Sequence, residues 1–270
     1  MSKKTKIIGI IAIVFVIVTA IHVIHALTLD RTIQYREVPF YSANIPAEMD
    51  GYRIAFITDT HRISDERLQE IVDRLNEWQA DLLLLGGDFG RRDGDPQRTI
   101  EALAQIETTD GTFGVEGNHD RFRELFRAME ANNMMPLSNS GLLVRDNFYL
   151  AGVEDLWNRS PDIAQATADA EPNDFVLLLS HNPDVTMQQD TSNIDLILSG
   201  HTHGGQITFF GALAPALWPN HITHYGQRFM SGWAESQDGT PVYVSRGAGE
   251  YLPRIFARPQ VILITLHSEG

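Results

Sequence analysis

Nine side chains able to bind a metal or move a proton fall in five short clusters: Asp59-x-His61, Asp88, Asn118-His119-Asp120, His181 and His201-x-His203. Their donors are carboxylate oxygen, amide oxygen and imidazole nitrogen. The chain has no cysteine, which removes disulfide frameworks, thiolate zinc sites and cysteine nucleophiles together. An oxygen-and-imidazole set suits Mn, Fe or Zn better than Ca or Mg, because imidazole favours the former group. Two divalent ions bridged by a carboxylate, roughly 3.5 to 4 Å apart, can hold a nucleophile and a phosphoryl oxygen for in-line displacement. A single His or Asp at a strand end is ordinarily a turn or a cap. Five clusters in the same setting argue for a site.

The setting comes from hydrophobic patterning. Tyr52 to Thr58 reads as a buried strand and is followed by Asp59; Leu82 to Leu85 leads into Gly86-Gly87-Asp88; Phe113 to Val115 precedes Asn118; Phe175 to Leu179 precedes His181; and Asp195 to Leu198 precedes His201. The carboxyl ends of strands are where open α/β sheets bind ligands. Between these strands, Leu68, Ile71, Val72, Leu75 and Trp78 share one helical face with Ser64 as a candidate N-cap, a helix opens at Asp95-Pro96, and another runs from about Arg121 to Ala131. The second half is richer in strands, with a hairpin across Arg145-Asp146-Asn147 and further strands near Ile207, Val242 and Val261. Two sheets with helices outside fit this series better than one doubly wound sheet. No Pro/Gly/Ser-rich linker divides the body, so residues 51–270 read as one domain.

Ahead of it, Lys3, Lys4 and Lys6 precede an uncharged apolar run from Ile7 to Leu29 that Asp30 and Arg31 end. That run is long enough to span a bilayer. We read residues 1–30 as an uncleaved membrane anchor and 31–50 as a connector, since Ile24-His25-Ala26 makes a poor small-x-small cleavage site. The lysines place the N-terminus in the cytoplasm and the body outside it. Net charge is −14, from 21 Lys+Arg against 35 Asp+Glu, and all three lysines lie before the apolar run. Nucleic acid is a poor partner for so acidic a body.

Taken together, Asp59-x-His61, Gly87-Asp88, Gly117-Asn118-His119-Asp120, Ser180-His181 and Gly200-His201-Thr202-His203 resemble the five blocks of the calcineurin-like metallophosphoesterases, over about residues 52 to 265. The resemblance implies a four-layer αββα sandwich. By the same resemblance, Asp59, His61 and His203 hold one metal, Asp88 bridges, and Asn118, His181 and His201 hold the second. His119 becomes the acid that protonates the leaving oxygen, with Asp120 orienting its imidazole. His181-Asn182-Pro183-Asp184, His203-Gly204-Gly205-Gln206-Ile207 and Arg246-Gly247-Ala248-Gly249 further resemble membrane-associated bacterial phosphodiesterases, among them enzymes that cleave the pyrophosphate of UDP-diacylglucosamine.

The expected partner is therefore a phosphodiester or pyrophosphate substrate, lipid-linked in the favoured reading, met at the membrane. Two rivals stay open: a broad-specificity envelope phosphodiesterase or phosphomonoesterase, and a tethered binding protein without turnover. Arg62 departs from the family pattern beside His61, either to bind a second phosphate or to pair with an acid. Arg91 is a candidate cationic contact. The apolar stretch Ile207 to Trp218 reads either as a packed loop or as a lip for an acyl chain, with Phe210 and Trp218 as contacts. His221 and His224 read as loop histidines.

Overall fold

The computed structural model describes residues 2–90, 96–217, 222–250 and 253–269. Arg91, Trp218 and His221 lie outside the described residues. Among the described residues the chain forms α1 (Lys3–Leu27), β1 (Gln34–Ser42), β2 (Arg53–Ile57), α2 (Asp65–Trp78), β3 (Leu82–Leu85), α3 (Gln97–Leu103), β4 (Thr112–Gly114), α4 (Phe122–Ala131) and β5 (Met135–Pro136). It continues with β6 (Ser140–Arg145), β7 (Phe148–Gly152), α5 (Ile163–Ala166), β8 (Phe175–Leu179), β9 (Leu196–Ser199), β10 (Gly232–Glu235), β11 (Pro241–Val244) and β12 (Gln260–Ser268).

Two six-stranded mixed sheets result, ordered β1-β12-β2-β3-β4-β5 and β10-β11-β9-β8-β7-β6. Strand periodicity explains how they stack. Ile54, Phe56, Leu82 and Leu84 alternate with Ala55, Ile57, Leu83 and Leu85; the first set meets Phe175, Leu177 and Leu179 between the sheets, and the second set lies under the helices. Strands buried on both faces read as the unbroken apolar runs seen here. Leu68, Ile71, Val72 and Leu75 of α2, with Leu125, Ala128 and Met129 of α4, cover the outer face of the first sheet. The second sheet's outer cover is thinner: α5 supplies Ile163 and Ala166, and single turns supply Val185 and Phe229. The outer layer expected there is thus one four-residue helix plus turns.

Three sequence readings need adjustment. Gln34–Ser42, inside the stretch read as a connector, is an edge strand paired in parallel with β12 from Gln34↔Gln260 to Ser42↔Ser268. It buries Val38 and Phe40, and its Pro39 is tolerated because an edge strand has one unpaired side. The body therefore starts well before residue 51. The strand expected near Ile207 is only an isolated bridge, Ile207 to Ile255. Ser64 sits at the N-cap of α2 without a side-chain cap; its backbone N–H donates to Glu250 Oε2 at 2.7 Å.

The remaining element, α1, has no buried residue and a mean hydropathy of 3.0 over its apolar window. By length and composition it can cross a membrane.

Candidate metal centre

Strands β2, β3 and β4 run parallel in one sheet, and β7, β8 and β9 in the other. Their carboxyl ends carry the five clusters to one rim. The loops there are tight: Asp59, Asp88, His201 and His203 have φ of 51°, 61°, 70° and 52°, in the left-handed region. Non-glycine residues held this way cost roughly 1–3 kcal/mol each, and such strain concentrates at functional sites. Gly200 is required by crowding, since a Cβ there would run into Asp59 Oδ2.

Two groups of donors face each other across Asp88. In the first, ligand atoms of Asp59, His61, Asp88 and His203 all lie within 4.8 Å of one another. His61 Nε2 is 3.0 Å from Asp88 Oδ2 and His203 Nε2 is 3.3 Å from Asp59 Oδ1. In the second, Asn118 Oδ1 sits 3.1 Å from His181 Nε2 and 2.9 Å from His201 Nδ1, and His181 Nε2 is 3.4 Å from Asp88 Oδ2. Asp88 Oδ2 is common to both groups. Its Oδ1 accepts the backbone N–H of His119 at 2.8 Å, which fixes the carboxylate's rotation.

Two imidazoles are locked from behind. His181 Nδ1 pairs with the carbonyl of Gly86 at 2.8 Å, and His201 Nε2 with the carbonyl of Ile222 at 2.8 Å. A carbonyl only accepts, so these nitrogens carry a hydrogen, and His181 Nε2 and His201 Nδ1 are the ring atoms turned to the second group.

These donors fit divalent cations. Burial opposes charge on Asp59, yet His203 and His181 hold its carboxyl well below the usual range; burial likewise opposes ionisation of Asp88, and His181 and His61 pull it down. Against their own burial, His61 and His181 are raised chiefly by Asp88. Buried carboxylates that draw protons onto neighbouring imidazoles form a pocket built for positive charge. Burial and the neighbouring His181 push His201 down to about 3, which leaves it neutral and available as a ligand. Asp59 Oδ1 and His203 Nδ1 are buried without hydrogen-bond partners.

Residues 52–205 match the sequence model of the calcineurin-like phosphoesterases. The chain belongs to that family. Its members are metal-dependent phosphoester hydrolases, and membership together with the buried Asp/His cluster points to a divalent dimetal site. The chain is 30% identical over 258 residues to an uncharacterized metallophosphoesterase of Bacillus subtilis, spanning 87% of this chain and 86% of that one. It is 28% identical over 266 residues to an uncharacterized metallophosphoesterase of Campylobacter jejuni, covering 93% and 68%. It is also 29% identical over 247 residues to a transmembrane protein with metallophosphoesterase domain of Danio rerio, covering 82% of this chain and 54% of that protein. The chain thus spans about half of the fish protein's length and about two thirds of the Campylobacter protein's.

Other expected site residues fall as follows. The His119 side chain is exposed at the rim, its ring 5.3 Å from that of His61. Asp120, expected behind it, turns its carboxylate to the loop that carries Asp88. Its two carboxylate oxygens accept four backbone N–H groups, from Asp88 and Gly117 on Oδ2 and from Phe89 and Gly90 on Oδ1. These bonds make Asp120 a clamp on the Asp88 loop, and burial and the charge of Asp88 push its carboxyl up to about 6. Arg62 is exposed with φ 55° next to His61. Phe210 packs against α1 rather than the metal donors.

A sixth strand end also reaches the site. After β7, Asp155 Oδ2 accepts the N–H groups of Trp157 and Asn158, Asn158 Nδ2 donates to the carbonyl of Asn118 at 2.6 Å, and the half-exposed Trp157 ring meets His201 edge-on at 4.5 Å. The hairpin at residues 145–147 was legible, so the end of its second strand was the available signal.

Proposed function

We propose that the chain is a membrane-anchored binuclear-metal phosphoesterase that hydrolyses a phosphodiester or pyrophosphate bond, with a lipid-linked or nucleotide-lipid substrate such as UDP-diacylglucosamine as its preferred class. The observation that carries the reaction type is the sharing of Asp88 Oδ2 by two convergent donor groups, 3.0 Å from His61 and 3.4 Å from His181. Asp59, His61 and His203 would hold one ion, Asn118, His181 and His201 the other, and Asp88 both. Bound there, two divalent ions supply Lewis acidity toward a phosphoryl oxygen and activation of water. Their identity among Mn, Zn and Fe follows from availability as much as from the donors.

The chain's own residues supply the remainder. The exposed imidazole of His119 stands at the rim beside His61, where it would protonate the leaving oxygen. Its backbone N–H holds Asp88, so the acid and the shared ligand move as one unit. The anchor and the lipid preference are supported by α1 and by the exposed Ile207, Phe209, Phe210 and Leu213 that follow His203 in the chain.

The test is turnover of bis-p-nitrophenyl phosphate by detergent-solubilised protein loaded in turn with Mn, Zn and Fe. Asp88→Asn should abolish turnover and His119→Ala should reduce it about 100-fold or more. A parent protein inactive with every metal would overturn the assignment. A panel of lipid-linked and soluble diesters analysed by mass then identifies the bond cleaved; equal rates on both classes would remove the lipid preference.

A further inference from the structure

We propose that the loop from Ile207 to Leu213, with Phe256, is a second membrane contact that inserts beside α1 and seats the metal centre at headgroup depth. This rests on reading α1 as a bilayer helix. From Ile7 to Leu27 the helix rises about 30 Å at ~1.5 Å per residue, which equals the hydrocarbon thickness of ~30 Å. With Lys3, Lys4 and Lys6 at one interface, the other falls at Leu27, just before the polar Thr28, Asp30 and Arg31.

His22 lies five residues inside that boundary, about 7 to 8 Å deep. Its ring is stacked on Phe209 at 5.3 Å and meets Phe210 and Phe256 edge-on at 4.5 and 5.0 Å. Its Nδ1 bonds the carbonyl of Val18 at 2.8 Å and its Nε2 is enclosed. The three phenylalanines therefore stand at the depth of the last turns of α1, and they cover the His22 imidazole, a polar side chain that the helix carries into the hydrocarbon. His25 in turn stacks on Phe256 at 3.8 Å and bonds the buried Asp30, whose Oδ2 also accepts the Phe256 N–H at 2.8 Å. The helix end and the loop are one joined unit, not a flexible tether.

On the same loop Ile207, Phe209, Phe210 and Leu213 are 42–53% exposed. Water is a poor neighbour for four large apolar side chains in one loop, whereas lipid at this depth solvates them. The loop leaves the metal centre directly: Gln206 to Gly211 follows His203 by three residues, and Thr208 Oγ1 ties it to the carbonyls of Ile255 and Phe256. A bilayer surface at the loop therefore lies beside the mouth of the site, where a phosphate headgroup would meet the donors while its apolar portion stays in the membrane.

The absence of cysteine permits a direct test on the full chain in phosphatidylethanolamine/phosphatidylglycerol nanodiscs. Single nitroxide labels are placed at Phe209→Cys and Leu213→Cys, with Ile13→Cys in α1 and Leu143→Cys on the edge strand β6 as references. Relaxation by oxygen should exceed relaxation by an aqueous nickel chelate at residues 13, 209 and 213, and the order should invert at 143. Retained hydrolysis of soluble bis-p-nitrophenyl phosphate certifies that each labelled chain is folded. Lipid exposure at 13 with aqueous exposure at both 209 and 213 would overturn the second contact alone. Aqueous exposure at 13 would overturn the anchor reading, and the seat with it.

Discussion

The carboxylate of Asp120 accepts the backbone N–H of Asp88 at 2.7 Å, with three further amide donors on the same group. Asp88 is the side chain shared by both donor groups, so its loop sets the separation of the two metal positions. Asp120→Asn keeps the shape but leaves one acceptor oxygen for four donors. Metal affinity should fall about 10- to 100-fold, as is typical when a residue supporting a ligand is altered. Turnover at saturating metal should recover substantially. Metal titration followed by activity checks this; a kcat loss that saturating metal leaves untouched would contradict a loop-clamping role.

Asp184 acts on the second donor group at one remove. Buried beneath the site, it accepts the hydroxyl of Thr223 and the backbone N–H of His224 at 2.7 Å, which pins the segment whose Ile222 carbonyl locks His201. Burial raises the Asp184 carboxyl, and the Thr223 and His224 hydrogen bonds oppose that rise. Asp184→Ala should free the segment and loosen His201 while sparing Asp59, His61 and His203. Metal analysis after mild chelation should then show about one ion per chain in the variant against two in the parent. Equal retention of both ions would sink the prediction.

The fold and the donors were legible in the sequence to different depths for physical reasons. Buried strands such as Leu82–Leu85 and Phe175–Leu179 announce themselves because both faces are covered and no polar residue interrupts them. The nine clustered residues were legible because their strand-end placement repeats. Gln34–Ser42 was not, because an edge strand alternates polar residues and tolerates Pro39. The clamp role of Asp120 was hidden because three of its four partners are backbone amides of the 88–90 loop, some 30 residues away, which leave no trace in residue type. Trp157 was missed because an aromatic at a loop tip carries no local signature until His201 is seen beneath it.

Trp157 predicts a selectivity. Its half-exposed ring lies over the edge of His201 on a loop pinned by Asp155 and Asn158. A planar leaving group entering the site would stack on it, worth about 0.5–1.5 kcal/mol, or roughly two- to tenfold in KM. Trp157→Ala should raise KM for bis-p-nitrophenyl phosphate by that amount with kcat nearly kept, and Trp157→Phe should restore most of it. A methyl p-nitrophenyl diester bound through its methyl end should respond less. An equal kcat loss on both substrates would instead indicate that Trp157 supports His201.

The same loop carries a pH-dependent element of stability. Glu154 is paired with Arg159, and that hydrogen bond holds its carboxyl below the ordinary value, aided by the Ser138 hydroxyl and the Ser160 amide. A depressed folded pKa means that the unfolded chain binds the proton first as pH falls. The stabilisation is therefore complete above the unfolded carboxyl value of about 4.3 and is lost as pH drops through the lower folded value. Because the partner guanidinium of Arg159 reaches solvent, the effect is modest. Thermal unfolding of metal-free parent and Glu154→Gln proteins should show the parent more stable near pH 7, with a gap constant down to about pH 5 and closing below pH 4. A gap that stays constant across this whole range would show that the loop is held by the packing of Arg159 over the Phe122 ring, 4.1 Å away, rather than by the charge of Glu154.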